Sequence, residues 1–265
     1  MANKISKLDV SALVLTRNDA PMLEGCLQQL DFVKEIIVLD QQSTDNTVEV
    51  AAKFTDILIK TANSNFAQNR NELAKKAKSK WLLYLDTDER VTEKNVVEIK
   101  EAIGNAQFQA YYFPRKNIVL GKWLKHGGWW PDYVPRLFEK QNLQRWYGAV
   151  HESPEVKGNY GYFKNPIAHY TARSMDQMLH KSVVWAQVEA RLFFEANFPK
   201  VNIFRVIKAS VREFIRRYFV KMGVLDGTVG LIEAVYQSLH QAMVLVYLWE
   251  MQNKTKERFE KITND

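Results

Sequence analysis

A single cysteine, Cys26, stands in 265 residues. That excludes an internal disulfide framework and fits a reducing compartment, with the thiol expected to pack as a small apolar side chain. The amino terminus, Met1 to Lys7, has no apolar core ahead of the first strand-like run, so no secretory signal is expected, and no lipidation motif is evident. The chain also lacks the roughly 18 uninterrupted apolar residues of a bilayer span. Its most apolar helical stretch, Thr228 to Lys254, is broken by Glu233, Gln237, His240 and Gln241, and is expected to pack on the core or lie on a membrane surface. Repeats of solenoid length and low-complexity tracts are missing too. Apolar residues, by contrast, make up 46% of the chain, ample for one α/β domain with an appendage or for two small domains.

The most informative stretch is Trp81-Leu82-Leu83-Tyr84-Leu85 running into Asp86-Thr87-Asp88. A short apolar run of large side chains reads as a buried strand. Carboxylates are costly to bury unpaired, so Asp86 and Asp88 belong at the strand's C-terminal end, where open α/β sheets bind ligands. Two carboxylates there suit a hard cation, Mg²⁺ or Mn²⁺, that completes its shell with water and phosphate oxygens. The implied substrate is a diphosphate.

The same strand, loop and helix pattern recurs upstream. Leu8 to Leu15 is strand-like and leads through Thr16-Arg17-Asn18-Asp19 to a helical pattern from Pro21 to Leu30; Glu35 to Leu39 ends on Asp40, and Ser43 to Thr47 supplies helix-capping residues. A third strand, Asp56 to Lys60, and a helix from Phe66 to Ala77 precede the strand ending in Asp86. Alternation at this pitch predicts a mostly parallel sheet with helices on both faces. The expected divisions are 1–110, an α/β half that binds the diphosphate; 111–173, a second half of the same domain; and 174–265, a helical extension. Five of the seven tryptophans fall between Trp81 and Trp146. Aromatic faces beside glycine turns, as in Gly127-Gly128-Trp129-Trp130-Pro131-Asp132, suit stacking on sugar rings.

The net charge of +7 is local: residues 200–222 hold Lys200, Arg205, Lys208, Arg212, Arg216, Arg217 and Lys221 against Glu213 alone. Such a patch attracts phosphorylated lipid or glycan, an anionic membrane face or nucleic acid. No nucleic-acid motif accompanies it, so nucleic acid is not an expected partner. Phe204, Ile207, Val211, Phe214, Ile215, Tyr218 and Met222 form an apolar stripe at helical steps. The stripe is expected to face inward and the basic residues outward, toward an anionic bilayer.

Taken in order, Leu15-Thr16-Arg17-Asn18-Asp19, Ile37-Val38-Leu39-Asp40 with Ser43-Thr44-Asp45-Asn46-Thr47, Gln68-Asn69-Arg70-Asn71 and Leu85-Asp86-Thr87-Asp88-Glu89-Arg90 resemble a family 2 glycosyltransferase of the GT-A fold. The resemblance covers almost the whole chain. Gly127 to Asp132, Arg136-Leu137-Phe138, Val150-His151-Glu152, His169-Tyr170 and Gly223-Val224-Leu225-Asp226-Gly227 are similar to the branch that includes bacterial lipopolysaccharide inner-core β-1,4-glucosyltransferases. One departure is Gln42, where the group usually has glycine before Ser-Thr-Asp.

The resemblance implies a Rossmann-like α/β fold and a nucleotide across the ends of the first strands. Asp40 would hydrogen-bond uracil or ribose, and Arg70 would lie near the base or diphosphate. Thr16 and Arg17 would line the site through backbone groups. Asp86 and Asp88 would hold Mg²⁺ or Mn²⁺, and His169 is similar to the late histidine that completes the metal shell. Arg136 or His151 could also face the diphosphate. Inversion at the sugar needs a base, for which Glu152 is the first choice and Asp132 the second; Trp129, Trp130 and His151 would contact the acceptor. The implied function is transfer of a hexose, glucose from UDP-glucose, to a lipid-linked phosphorylated glycan by a cytoplasmic enzyme peripheral to the inner face of the membrane. Another lipid-linked glycan, a polysaccharide or a protein as acceptor, or a silent sugar-binding module, are the alternatives.

Overall fold

The computed structural model describes residues 7–105, 107–148 and 152–263, with side chains as far as Lys254. In chain order the elements are β1 (Leu8–Thr16), α1 (Ala20–Leu27), β2 (Val33–Asp40), α2 (Thr47–Ala52), β3 (Ile57–Lys60), α3 (Phe66–Lys76), β4 (Trp81–Asp86), β5 (Glu89–Arg90), α4 (Glu93–Asn105), β6 (Ala110–Val119), β7 (Lys122–Trp123), β8 (Tyr133–Glu139), β9 (Leu143–Tyr147), β10 (Ser153–Val156), β11 (Tyr160–Tyr162), β12 (Ile167–Ala172), α5 (Met175–Glu195), α6 (Ile203–Ile215) and α7 (Gly227–Thr263). One π-helical turn, Arg216–Val220, and one 3-10 turn, Gly223–Asp226, lie between α6 and α7. The chain divides into two compact units: Met1–Lys116 with Asp132–His169, and Asn117–Pro131 with Tyr170–Asp265. Residues 117–131 thus group with the C-terminal helices, whereas sequence boundaries placed them in the 111–173 half.

In the first unit the sheet runs β3-β2-β1-β4-β8-β6. The first three pairings are parallel, while β8 runs antiparallel to both β4 and β6. The mostly parallel α/β expectation holds for the half that carries the strand-end carboxylates. Strand residues alternate between two apolar layers, as a two-residue side-chain period requires. Val10, Ala12 and Val14 of β1 join Leu83 and Leu85 of β4 under Leu23, Cys26 and Leu27 of α1 and Ile99 of α4. Leu13 and Leu15 join Leu82 and Tyr84 under Ala67 and Leu73 of α3. Cys26 is fully buried, as expected, and burial pushes its thiol up to about 12.

The second unit is built on the three long helices. Ser174 caps α5 and Asn202 caps α6, each side chain accepting a backbone N–H of the first turn. α7 packs against both, with Val244, Leu245 and Leu248 meeting Ala186 and Ala190 of α5. The loop around Gly127 is pinned to the turn before α7. Asp226 accepts from the backbone N–H groups of Lys125 (3.1 Å) and His126 (2.8 Å), and Gly127 donates to Lys221 O at 2.7 Å. A β-carbon on Gly230 would meet Gly223 O at 2.0 Å, so this approach requires glycine. The stretch Gly223–Lys254 reaches a mean hydropathy of 1.2 in an 18-residue window, enough by length and composition alone to cross a bilayer despite its polar interruptions.

Candidate active site

Parallel register brings the first strand ends to one edge: Thr16 lies opposite Asp40, and Leu15 lies opposite Asp86. The loops beyond them are tied together. Asp40, buried, accepts from the Ser43 backbone N–H (3.0 Å) and hydroxyl (2.5 Å). Asn18 donates its N–H to Ser43 Oγ (2.8 Å) and accepts from the Thr44 N–H (2.7 Å). Thr87 donates to Asp19 Oδ2 at 2.6 Å. The run Ser43 to Thr47 therefore links loops; the Asn46 side chain at the start of α2 makes no capping bond. Gln42 has φ of 56°, the left-handed region that glycine adopts most readily, so the turn keeps its shape without glycine. Arg17 is exposed, and the buried Thr16 hydroxyl has no hydrogen-bond partner among the described residues.

From Asp86 an alternating chain of charges runs in both directions. Its Oδ1 accepts from Arg70 Nη2 at 2.9 Å, and Arg70 Nε donates to Glu152 Oε1 at 3.2 Å. Its Oδ2 accepts from Arg136, whose Nη2 also reaches Glu89 Oε1 at 2.7 Å. Glu89 lies 3.8 Å from Arg115, and Arg115 binds Asp132 Oδ2 at 2.8 Å. Glu152 and Asp132, the two candidate bases, stand at opposite ends of one network. Burial opposes ionisation of Asp86, yet Arg136 and Arg70 outweigh it and hold the carboxyl well below the usual range. Arg136 is itself desolvated, but Asp86 and Glu89 keep its charge more firmly in place than in water. It is buried under the site and braces Asp86. Glu89 and Arg115 escaped sequence reading as site residues. Glu89 directly follows the Asp86-Thr87-Asp88 motif, a signal that could have found it; Arg115 carried none.

Tertiary packing explains how Arg70 and Glu152 meet. Arg70 is buried on α3 with its guanidinium 4.9 Å from the Trp146 ring centroid, and Tyr84 donates to its carbonyl at 3.0 Å. The neighbouring Asn71 clamps Trp146 by accepting from its N–H (2.7 Å) and donating to its carbonyl (2.8 Å). Trp146 sits on β9, and the antiparallel partner β10 begins at Ser153 opposite Tyr147. The hairpin that α3 grips thus delivers Glu152. β9 ends at Tyr147, and Val150 and His151 lie outside the described residues.

His169 of β12 pairs with Glu89 of β5, which sets its Nε2 3.5 Å from Asp88 Oδ1. Among the described residues, no three His, Cys, Asp or Glu side chains form a group suited to a metal ion. Of the three expected ligands, Asp88 and His169 lie together, while both oxygens of Asp86 engage arginines. Asp88 and His169 remain as one oxygen and one nitrogen donor, a pair better suited to Mn²⁺ than to the oxygen-preferring Mg²⁺, with water and phosphate left to complete the shell.

Of the aromatic residues, Trp81 and Trp146 are core: Trp81 packs on Tyr111, and Trp146 on Tyr84 and Phe138. In the second unit Trp130 meets Trp123 edge-on at 5.5 Å. Trp129 lines a cavity of about 210 Å³ together with Trp185, Tyr236, Glu233, Gln237 and His240. Burial pushes the Glu233 carboxyl up to about 7, against the hydrogen bond it accepts from Gln237 at 2.7 Å.

Similarity to known proteins was found in sequence and in structure. "SPbeta prophage-derived glycosyltransferase SunS" of Bacillus subtilis is 28% identical over 145 residues, 53% of this chain, which covers 33% of that protein's length. "Lipopolysaccharide core biosynthesis glycosyltransferase LpsC" of Rhizobium meliloti is 20% identical over 93% of this chain and 94% of its own. Among solved structures, the Pyrobaculum calidifontis mannosyltransferase PcManGT, in complex with GDP-Man and Mn²⁺, aligns with TM-score 0.48 at 12% identity over 89% of this chain and 74% of its own. Residues 11–164 match the family described as Glycosyl transferase family 2. With that match spanning more than half of its length, the chain belongs to glycosyl transferase family 2.

Proposed function

We propose that this chain is an inverting hexosyltransferase that moves glucose from UDP-glucose to a lipid-linked anionic glycan such as a lipopolysaccharide inner core. The observation that carries the reading is the network joining Asp86 at the end of β4 to Glu152 and Asp132 through three arginines. LpsC, named for lipopolysaccharide core biosynthesis and similar along 93% of this chain, supports the acceptor class. Trp129, Trp185 and Tyr236 line one cavity and supply aromatic surface of the kind on which sugar rings stack.

In the reaction the acceptor hydroxyl oxygen attacks the anomeric carbon opposite its bond to the diphosphate. That bond breaks, its electron pair leaves on the nucleoside diphosphate, and the hydroxyl proton passes to a base. Glu152 suits this role, because Arg70 holds Oε1 while Oε2 makes no hydrogen bond among the described residues. Arg70 thereby orients Asp86 and Glu152 at once. A divalent cation held by Asp88 and His169 would offset charge on the departing diphosphate.

Release of nucleoside diphosphate from a panel of UDP- and GDP-sugars, with and without EDTA, tests the reading. Release is expected to be fastest from UDP-glucose and to be lost in EDTA. Asp88→Ala should lower it by about 10³-fold with an unchanged circular dichroism spectrum, if the cation contributes ~4 kcal/mol to the transition state. Full activity in EDTA would remove the metal from the mechanism. A preference for GDP-sugars would reassign the donor, and no release from any donor would leave a silent sugar-binding module.

A further inference from the structure

The helix expected to show its basic side shows its apolar side instead. α6 meets α7 through Val206, Ala209 and Ser210, with Ser238 of α7 donating to Ser210 O at 2.8 Å. Phe204, Ile207, Val211, Ile215 and Phe219 recur at helical steps on the opposite side, and all are exposed, Phe204 by 79%. Val220 (69%), Met222, Val224 and Leu225 (60%) extend the patch through the turns that follow. Scattered apolar residues are ordinary on a soluble surface, but a continuous row of this length marks an interaction site.

The basic residues split into two groups. Arg216 and Arg217 turn onto Glu213, at 2.5 and 2.7 Å, and Arg205 lies over the Phe198 ring, 5.5 Å from its centroid. Lys208 and Arg212 are exposed beside the apolar row, with Lys200 and Lys221 beyond its two ends. None of these four makes an ion pair among the described residues. Glu213, the one acid between residues 200 and 222, is neutralised by its two arginines, which hold its carboxyl low against the effect of burial.

An exposed apolar stripe bordered by unpaired cations is the pattern of a helix lying in a membrane interface. A second copy of the chain fits it less well. Two-fold contact would set Lys208 and Arg212 near their own counterparts, and like charges repel. Anionic headgroups supply the opposite charge.

We propose that Ile203 to Leu225 is an in-plane membrane anchor. Phe204, Ile207, Val211, Ile215 and Phe219 enter the boundary between headgroups and acyl chains, and Lys208, Arg212 and Lys221 rest among lipid phosphates. The anchor deepens the transferase reading, on which it rests for its purpose but not for its geometry. It replaces the purely electrostatic attachment expected from sequence, in which Arg205 and Arg216 also faced the bilayer.

Sedimentation of the full chain with vesicles of phosphatidylglycerol and phosphatidylcholine in equal parts tests it. The triple variant Phe204→Ser, Ile207→Ser, Val211→Ser changes only exposed side chains. It should bind these vesicles at least about tenfold more weakly, a loss of roughly 1.4 kcal/mol or more, at both low and high salt. The double variant Lys208→Glu, Arg212→Glu should lose the preference for these vesicles over pure phosphatidylcholine. Donor hydrolysis should be the same in all three proteins, so a wild type without hydrolysis but with vesicle binding would fault the transferase reading alone. Serine-variant binding equal to wild type would overturn the anchor, as would a wild-type dimer that the serine variant abolishes while neither protein binds vesicles.

Discussion

At the scale of single residues, the site is governed by who neutralises whom. Arg70 stands between Asp86 and Glu152, and Arg115 between Glu89 and Asp132, so each candidate base carries an arginine. The Arg115 side chain reaches Asp132 Oδ2 from both Nε (2.9 Å) and Nη2 (2.8 Å). Glu152→Gln keeps the shape and can still accept from Arg70, but its amide cannot take a proton. Transfer should fall by roughly 10²- to 10⁴-fold, the usual contribution of a positioned base, while UDP binding measured calorimetrically with Mn²⁺ stays unchanged. Should Asp132→Asn show that separation in place of Glu152→Gln, the two roles exchange.

At the scale of elements, the turns at the strand ends hold the site's shape. The turn from β2 to α2 puts Gln42 at a φ of 56° on the exposed side of the Asp40–Ser43 bonds. A left-handed conformation costs a residue with a β-carbon roughly 1–2 kcal/mol, against which glycine brings a larger loss of chain entropy on folding. Gln42→Gly should therefore raise stability by up to about 1 kcal/mol, a melting temperature higher by roughly 2–4 °C. A lower melting temperature would show that the glutamine side chain contributes contacts that outweigh its strain. The same reasoning explains how a glutamine occupies this turn without reshaping it.

At the scale of the whole molecule, two carboxyls, the partly exposed Asp86 and the buried Glu233, pull the stability profile in opposite directions. The folded pKa of Asp86 lies below its unfolded value, so its contribution is present above roughly pH 4 and is lost as pH falls. Glu233 is the reverse: its folded value is raised to about 7 from 4.5, so its contribution is greatest below about pH 4.5 and is lost as pH rises through about 7. Glu233→Gln removes that titration. The variant should gain on the wild type by a few kcal/mol at most between pH 5 and pH 8, read as the difference in melting temperature at the two pH values. An identical difference at both would show that Glu233 titrates normally.

What the sequence determined by itself was everything set by short-range pattern. Apolar runs ending in Thr16, Asp40 and Asp86 placed the strand ends, because strand period and the cost of burying a carboxylate act within a few residues. Helix boundaries such as Phe66–Lys76 followed from caps and periodicity in the same way. Only the tertiary structure decided the partners: Arg70 meets Glu152 across 82 positions and Asp86 meets Arg136 across 50, through a hairpin and an antiparallel strand that no local signal announces. It also decided which side of α6 is hidden. Periodicity shows which residues share a face, but whether Phe204 or Ala209 turns toward α7 depends on how closely the two helices approach. Small side chains at Ala209 and Ser210 fit that contact, and the large apolar ones are left outside.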